Sequence, residues 1–396
     1  MTANPWKIQL FELGYDDRES RAVAQVLESR WITMGERTRE FEARFAAYLG
    51  ESLPAEECGD ATAVRATAVS SGTAALHMAI LALGIGPGDE VIVPALTFVA
   101  DLNVVRMAGA IPVLADCTSE KDWNISPADA ARKITARTRA VLCVHYAGYP
   151  CDMDALAALC RDRGVALIED ASHAPGAAYR GRRCGVFGDI ACFSFFTNKN
   201  LSVGEGGMFV TRSEALDRRA RHLRSHGMTS LTLDRHQGRA VTYDVLEPGL
   251  NYRMDEMRAA LGLVQLEKLP AGNARRGDLT RRYHGRLAGI RGLTLPFGAA
   301  VEGNADVLPS FHILPVLLED AERRLAVIAR LREEGIQSSI HYPSMRGFTA
   351  CRGLALGETP LADRISLGEL TLPLFPGLSL EAVDTVTGAL RRALDA

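Results

Sequence analysis

The stretch that decides how this chain is read runs Ile190-Ala-Cys-Phe-Ser-Phe-Phe-Thr-Asn-Lys199-Asn-Leu-Ser-Val-Gly204-Glu-Gly-Gly-Met-Phe-Val-Thr211. Its apolar run, 190–196, predicts a buried strand, and 208–210 predicts a second. Between them stands one lysine, Lys199, flanked by Asn198 and Asn200 and followed by Gly204-Glu205-Gly206-Gly207. An amine set among apolar strands and glycines suits a lysine that must lose its proton and attack a carbonyl. Burial disfavours the ammonium form and lowers its pKa, as such a nucleophile requires. Taken alone, the stretch fits a surface lysine in a hairpin turn equally well. The surrounding chain decides between the two.

Outward from Lys199, the pattern on the N-terminal side is alternation. Strand-like runs at 66–69, 91–93, 111–115, 140–144 and 165–168 are separated by helical patterns at 74–83, 99–107, 127–134 and 153–163. Such alternation predicts a mostly parallel sheet with helices on both faces, and near-continuous apolar strands agree with it. Ahead of it lie two amphipathic helices, 16–27 with Asp16 as N-cap and 38–49 carrying Phe41, Phe45 and Leu49. The polar segment 51–65, with Pro54 and Gly59, reads as a surface loop. Beyond the lysine, a helix starts after Asn251 with Asp255 as cap, and Pro270-Ala271-Gly272 is expected to stop it. An arginine-rich helix (275–287), a strand (310–317), a helix (321–334), a strand (338–341) and a final helix (380–394) then form a smaller α+β unit. The expected domains are 1–270 and 271–396.

Bulk properties exclude several classes. With 45 Lys and Arg against 48 Asp and Glu, the net charge of −3 gives no electrostatic case for nucleic acid. The arginines at 218–224 alternate with alanine and leucine as on a solvated helix face. No apolar run approaches the roughly 20 residues that span a bilayer, and residues 1–7 lack the apolar core of a signal peptide. A cytoplasmic location is expected. Eight cysteines, at 58, 117, 143, 151, 160, 184, 192 and 351, form no C-x-x-C pair and match no zinc spacing. They read as free thiols, several of them buried, and no metal is expected. Cys351, in the loop 347–353, is the one thiol considered as a nucleophile, and it reads as a bystander.

In a parallel sheet, ligands bind beyond the carboxyl ends of the strands. After the first strand comes Ser70-Ser71-Gly72-Thr73, opening directly into a helix. Free backbone N–H groups with a glycine for close approach suit one phosphate, although a plain N-cap has the same composition. There is no G-x-x-x-x-G-K-[ST], which argues against a nucleoside triphosphate. After the fifth strand comes Glu169-Asp170-Ala171-Ser172-His173. Asp170, at the end of a buried strand, is costly unless it meets a cation or caps a short helix. Ser194 and Lys199 follow the sixth strand. A phosphate cradle, a strand-end aspartate and a lysine on a glycine-rich turn are together what pyridoxal 5′-phosphate (PLP) needs. Phe98, in Pro94-Ala95-Leu96-Thr97-Phe98, could stack on its ring or simply fill the core.

With these residues in place, the chain resembles the DegT/StrS sugar aminotransferases of PLP fold-type I nearly end to end. The resemblance is carried by 31–35, 70–76, Gly86-Pro87-Gly88-Asp89-Glu90, Val144-His145-Tyr146-Ala147-Gly148, 168–174, 193–207, 251–269 and Ile340-His341-Tyr342-Pro343. It implies a three-layer α/β/α domain with a seven-stranded sheet plus the smaller α+β domain. Lys199 would be the Schiff-base lysine, Asp170 the partner of the pyridine nitrogen and His173 a neighbour of the ring hydroxyl. Gly72, Thr73 and Ser194 would hold the phosphate, with Phe98 on the ring. Asn251 would reach the phosphate of a second subunit, making the active unit a homodimer with shared sites. The sugar would meet Thr33, Met34, Gly35, His341 and Tyr342. The implied reaction moves an amino group from glutamate or glutamine to a keto-sugar, foremost a nucleotide-linked 4-keto-6-deoxyhexose, with a keto-cyclitol as the close alternative. Dehydratase relatives carry histidine at the lysine position, so Lys199 argues against dehydration. A desulfurase using Cys351 is disfavoured by the resemblance itself, and a regulator without catalysis by the retention of Lys199, Asp170 and Ser194 together. The chain departs from the pattern at Phe196-Thr197-Asn198 and in the long 51–65 loop.

Overall fold

The computed structural model describes residues 5–57, 59, 63–230 and 232–395. Seven strands form the main sheet: β1 (Arg65–Val69), β2 (Glu90–Pro94), β3 (Ile111–Ala115), β4 (Thr138–Val144), β5 (Ala166–Asp170), β6 (Ile190–Ser194) and β7 (Gly207–Thr211). Their order is β1-β7-β6-β5-β4-β2-β3. All neighbours from β6 through β3 pair in parallel, and β7 runs antiparallel to both β1 and β6. Residues along each strand face alternate sides, and both sides are covered. Ile190 and Cys192 join one buried cluster while Ala191 and Phe193 join another. Val91 and Val93 likewise oppose Ile92. This explains why the strands read as unbroken apolar runs.

Helices α1 (Asp17–Ser29), α2 (Glu36–Gly50), α3 (Gly72–Ala82), α4 (Ala100–Met107), α5 (Pro127–Lys133), α6 (Met153–Arg163) and α7 (Glu214–Leu223) surround the sheet. Asp16 caps α1 as expected, accepting from Arg18 N–H at 2.8 Å while Glu19 accepts from Asp16 N–H at 2.8 Å. Phe41 and Phe45 of α2 pack on Phe193 and Phe195, with ring centroids 5.0–5.5 Å apart.

Three expectations are corrected. First, Pro270 does not stop the helix after Asp255, because α8 (Glu256–Leu287) runs through it for 32 residues, about 48 Å. A mid-helix proline forfeits one hydrogen bond and costs about 3 kcal/mol. Both halves of α8 are held by packing, the first against α1 and α2, the second against the C-terminal helix, and buried Leu263, Leu266, Leu279 and Tyr283 outweigh that loss. Second, the arginines at 218–224 are not one solvated face. Arg224 is buried and donates to Glu42 and, at 2.8 Å, to the Ala68 carbonyl. Third, the C-terminal strands differ. The small antiparallel sheet is β8 (Leu293–Thr294), β9 (Leu314–Leu318) and β10 (Glu369–Leu372). Residues 310–312 stay irregular because Ser310 N–H and His312 N–H bond the carbonyls of Gly148 and Ala147 instead of a neighbouring strand. Residues 338–341 form only one bridge, Ser339 to Thr371.

Helices α9 (Arg324–Glu333), α10 (Pro360–Gly368) and α11 (Leu380–Asp395) complete this C-terminal part. In the 51–65 loop, Glu57 pairs with Arg182 and Arg212; Cys58 and residues 60–62 lie outside the described residues. The seven described cysteines are free and buried. Cys351 is 4% exposed within the main core, away from the cavity described below. Among the described residues, no helix is long and apolar enough to cross a membrane.

Candidate active site

A cavity of about 370 Å³ opens where β1, β2, β5 and β6 end. It brings together Gly72, Thr73, Phe98, Asp170, His173, Ser194, Lys199, His341 and Tyr342, nine of the expected site residues. It does not include Thr33, Met34, Gly35 or Asn251. Met34 and Gly35 are buried near the start of α8, with Gly35 N–H donating to Glu256 Oε1 at 2.8 Å, and Thr33 is exposed. Asn251 is also exposed, bridging through its backbone to Ser225. A larger cavity, about 740 Å³ between Tyr48, Arg183 and Phe311, holds neither lysine nor strand-end carboxylate. Chemistry, not size, selects the site.

Local geometry explains the glycines. Ser71 caps α3, its hydroxyl accepting from Ala74 N–H at 3.1 Å. The N–H groups of Gly72 and Thr73 open the first turn, where no intrahelical acceptor can reach them. A Cβ on Gly72 would stand 2.7 Å from Ser194 Cβ, and one on Gly207 would stand 2.4 Å from the Ser71 carbonyl oxygen. The helix start therefore sits hard against the ends of β6 and β7, and Ser194 joins it to make one anion cradle.

Lys199 is held by a turn whose N–H donates to the Phe196 carbonyl at 2.9 Å. The next residue anchors that turn: Asn200 donates to Asn273 at 2.8 Å and to the Ser310 carbonyl at 2.7 Å. Burial lowers the Lys199 pKa to about 8, against opposing attraction from Asp170 and Asp101. Asp170 Oδ1 accepts from Ser172 N–H at 2.9 Å. Burial raises its pKa, with Ser172 and Lys199 working the other way. Its neighbour Glu169 faces the opposite side of the sheet and collects the N–H groups of Gly185, Phe187 and Gly188 at 2.7–2.8 Å.

His173 is held neutral, its pKa well below the ordinary value through burial first and then the nearby Lys199. Ala147 N–H donates to its Nδ1 at 3.2 Å, so the ring proton sits on Nε2, 2.9 Å from the Tyr342 hydroxyl. The Tyr342 ring lies 5.8 Å from Phe98, which is 54% exposed at the mouth. Tyr342 and His341 are supported from behind: Tyr146 donates to the His341 carbonyl, and Glu369 accepts from His341 N–H at 2.6 Å.

The residues that depart from the family pattern are part of the wall. Phe196 and Asn198 line the cavity, Thr197 donates to the Gly204 carbonyl at 3.2 Å, and Asn198 Oδ1 is buried with no partner among the described residues. Sequence reasoning missed Asp101, Asn200, Tyr146 and Glu369. Asp101 was detectable as a lone carboxylate four residues after Thr97 in an apolar helix; for Glu369 there was no local signal.

A buried lysine of lowered pKa, a strand-end carboxylate and a phosphate-sized cradle around one cavity fit PLP, and Asn198 Oδ1, buried without a partner among the described residues, shows polar capacity left for a ligand. Comparison with known proteins agrees. Residues 14–391 match the DegT/DnrJ/EryC1/StrS aminotransferase family. The chain belongs to that family, and it is a PLP-dependent aminotransferase. Its structure is similar to the aminotransferase TlmJ from Streptoalloteichus hindustanus, with 35% identity, TM-score 0.86, and 98% of this chain and 99% of that one covered. It is similar also to DesV of S. venezuelae, solved with a ketimine intermediate, at 36% identity, TM-score 0.84 and 97% and 98% coverage. A third likeness is to the PLP form of Spr1654 from Streptococcus pneumoniae, at 29% identity, TM-score 0.85 and 96% and 97% coverage.

Proposed function

We propose that the chain transfers the amino group of glutamate or glutamine to a keto-sugar, foremost a nucleotide-linked 4-keto-6-deoxyhexose. The observation that carries the residue assignments is the convergence of Lys199, Asp170, His173 and the start of α3 on one cavity. When bound, PLP supplies an aldehyde that bonds amines and a ring that accepts electrons. Lys199 Nζ is the amine that would bond that aldehyde, and the same amine, when free, would carry a proton to and from the substrate carbon. Its pKa near 8 leaves a usable fraction of neutral amine at physiological pH. Asp170 would hold a proton on the ring nitrogen by charge. Gly72, Thr73 and Ser194 would hold the phosphate, Phe98 would cover the ring face, and His173, bonded to the Tyr342 hydroxyl, would neighbour the ring hydroxyl.

The rest of the assignment belongs to the same proposal. His341 and Tyr342, which line the cavity, face the sugar; Thr33, Met34 and Gly35, which lie outside it, are assigned to the sugar by the family resemblance alone. Asn251 reaches the phosphate of a second copy, so the working unit is a homodimer, consistent with an exposed Asn251 that does not line its own chain's cavity. Residues 1–270 and 271–396 are the two domains, with α8 as a beam common to both. The cytoplasm, where amino acids and nucleotide-linked sugars meet, is the compartment this reading implies. The test gives the purified protein glutamate or glutamine with a panel of nucleotide-linked keto-sugars and keto-cyclitols. Amination of a 4-keto-6-deoxyhexose is expected. Turnover confined to the cyclitols would replace the substrate class, and no amination of any ketone would overturn the proposal.

A further inference from the structure

Asp101, in the first turn of α4, is 0% exposed. Its Oδ2 accepts from the Thr97 hydroxyl at 2.6 Å. Its Oδ1 is buried without a hydrogen-bond partner among the described residues, and the carboxyl of Asp170 is the charged group that acts on it most, ahead of the Lys199 amine. Two carboxylates cannot satisfy each other, because both only accept. Buried acceptors without donors are rare and costly. A single proton between them removes both the orphaned oxygen and the repulsion of two adjacent charges.

We propose that Asp101 carries this proton and donates it from Oδ1 to the Asp170 carboxylate, acting as the positioning residue that aims Asp170 at the ring nitrogen of PLP. The proposal rests on the reading of Asp170 as that nitrogen's partner. The proton belongs on Asp101 rather than Asp170 because their surroundings differ. Asp170 has a backbone N–H from Ser172 and lines the cavity with Lys199. Asp101 has only one hydroxyl and does not line the cavity. Burial, then Asp170, pushes the Asp101 pKa well up. The start of α4 favours an anion modestly, and full enclosure beside a second carboxyl outweighs it. The pair then holds one negative charge, which matches one protonated ring nitrogen.

The test uses pyridoxine 5′-phosphate, which has the ring nitrogen and phosphate but no aldehyde to bond Lys199. Its dissociation constant and its ring-protonation absorbance are measured on the full chain freed of cofactor, with an infrared spectrum of the same protein. Asp101→Ala removes the donor and should weaken binding about tenfold, with loss of ring protonation, the scale of one buried hydrogen bond. Asp101→Asn keeps a donor toward Asp170 and an acceptor for Thr97, and should restore binding to within about threefold of the native chain, well inside one hydrogen bond. The native minus variant infrared difference spectrum should show the band of one buried, protonated carboxyl for both variants; Glu369, pushed up to about 7 by burial, contributes equally to each chain and cancels. Equal loss in both variants would mean Asp101 acts by charge and would overturn the proposal, as would unchanged binding in Asp101→Ala. If Asp101→Ala does not fold, a native minus Asp101→Asn difference spectrum without a protonated-carboxyl band overturns it alone. An Asp170→Asn chain that binds as tightly as the native one would instead overturn the reading of Asp170.

Discussion

Lys199 shows how far a fold can move one group. Enclosure brings its pKa down to about 8, and the negative charge of the Asp170–Asp101 pair limits the fall. Only the neutral amine bonds an aldehyde. Capture of PLP by the cofactor-free protein should therefore accelerate with pH and level off above about 8, where an ordinary lysine would keep accelerating toward 10.5. Stopped-flow absorbance at several pH values checks this, and a midpoint near 10.5 would contradict it. Asp170→Asn removes an opposing charge, so its midpoint should fall below that of the native chain. Linkage has the same sign: below about pH 8 the ammonium form burdens the cofactor-free fold, and the burden lifts as pH rises toward 10.5.

Among the elements, α8 carries most of the difference between reading and structure. Local rules see Pro270-Ala271-Gly272 as a stop, but the helix persists because distant partners hold both sides of it. The same limit explains β10 and the irregular 310–312, whose hydrogen bonds go to residues far away in sequence. The seven main strands were legible because burial on both faces leaves an apolar signature in each segment. The phosphate cradle and Lys199 were legible because they are compact stretches at strand ends. Asp101 was visible as a lone carboxylate, but its role was not, since that depends on Asp170, which a different strand supplies. Gly262 gives a test of packing over propensity. Alanine in mid-helix should gain about 1 kcal/mol, yet a Cβ there would stand 2.6 Å from the Phe41 ring, which is fully buried. Overpacking costs about 1–3 kcal/mol, so Gly262→Ala should lower stability in urea unfolding. A stabilised variant would show that Phe41 has room to move.

Over the molecule as a whole, the proposed dimer rests on what one chain leaves exposed. Val241 is 98% exposed, with Tyr243, Val245 and Leu246 close by in the segment leading to Asn251. Apolar side chains gathered on one surface segment favour an association face. If the sites are shared, mixing Lys199→Ala with Asn251→Ala under subunit exchange should restore activity. Half the dimers would be mixed, each with one intact site, giving about one quarter of native activity under two-fold symmetry. No recovery in any mixture would place each site within a single chain.

The most direct measurement is chemical. The protein loaded with PLP is treated with borohydride, digested, and its peptides weighed by mass spectrometry. The account predicts one cofactor adduct, on the peptide containing Lys199, and none in Lys199→Ala, which should also lose transamination. An adduct on another lysine, or full turnover by Lys199→Ala, would contradict it.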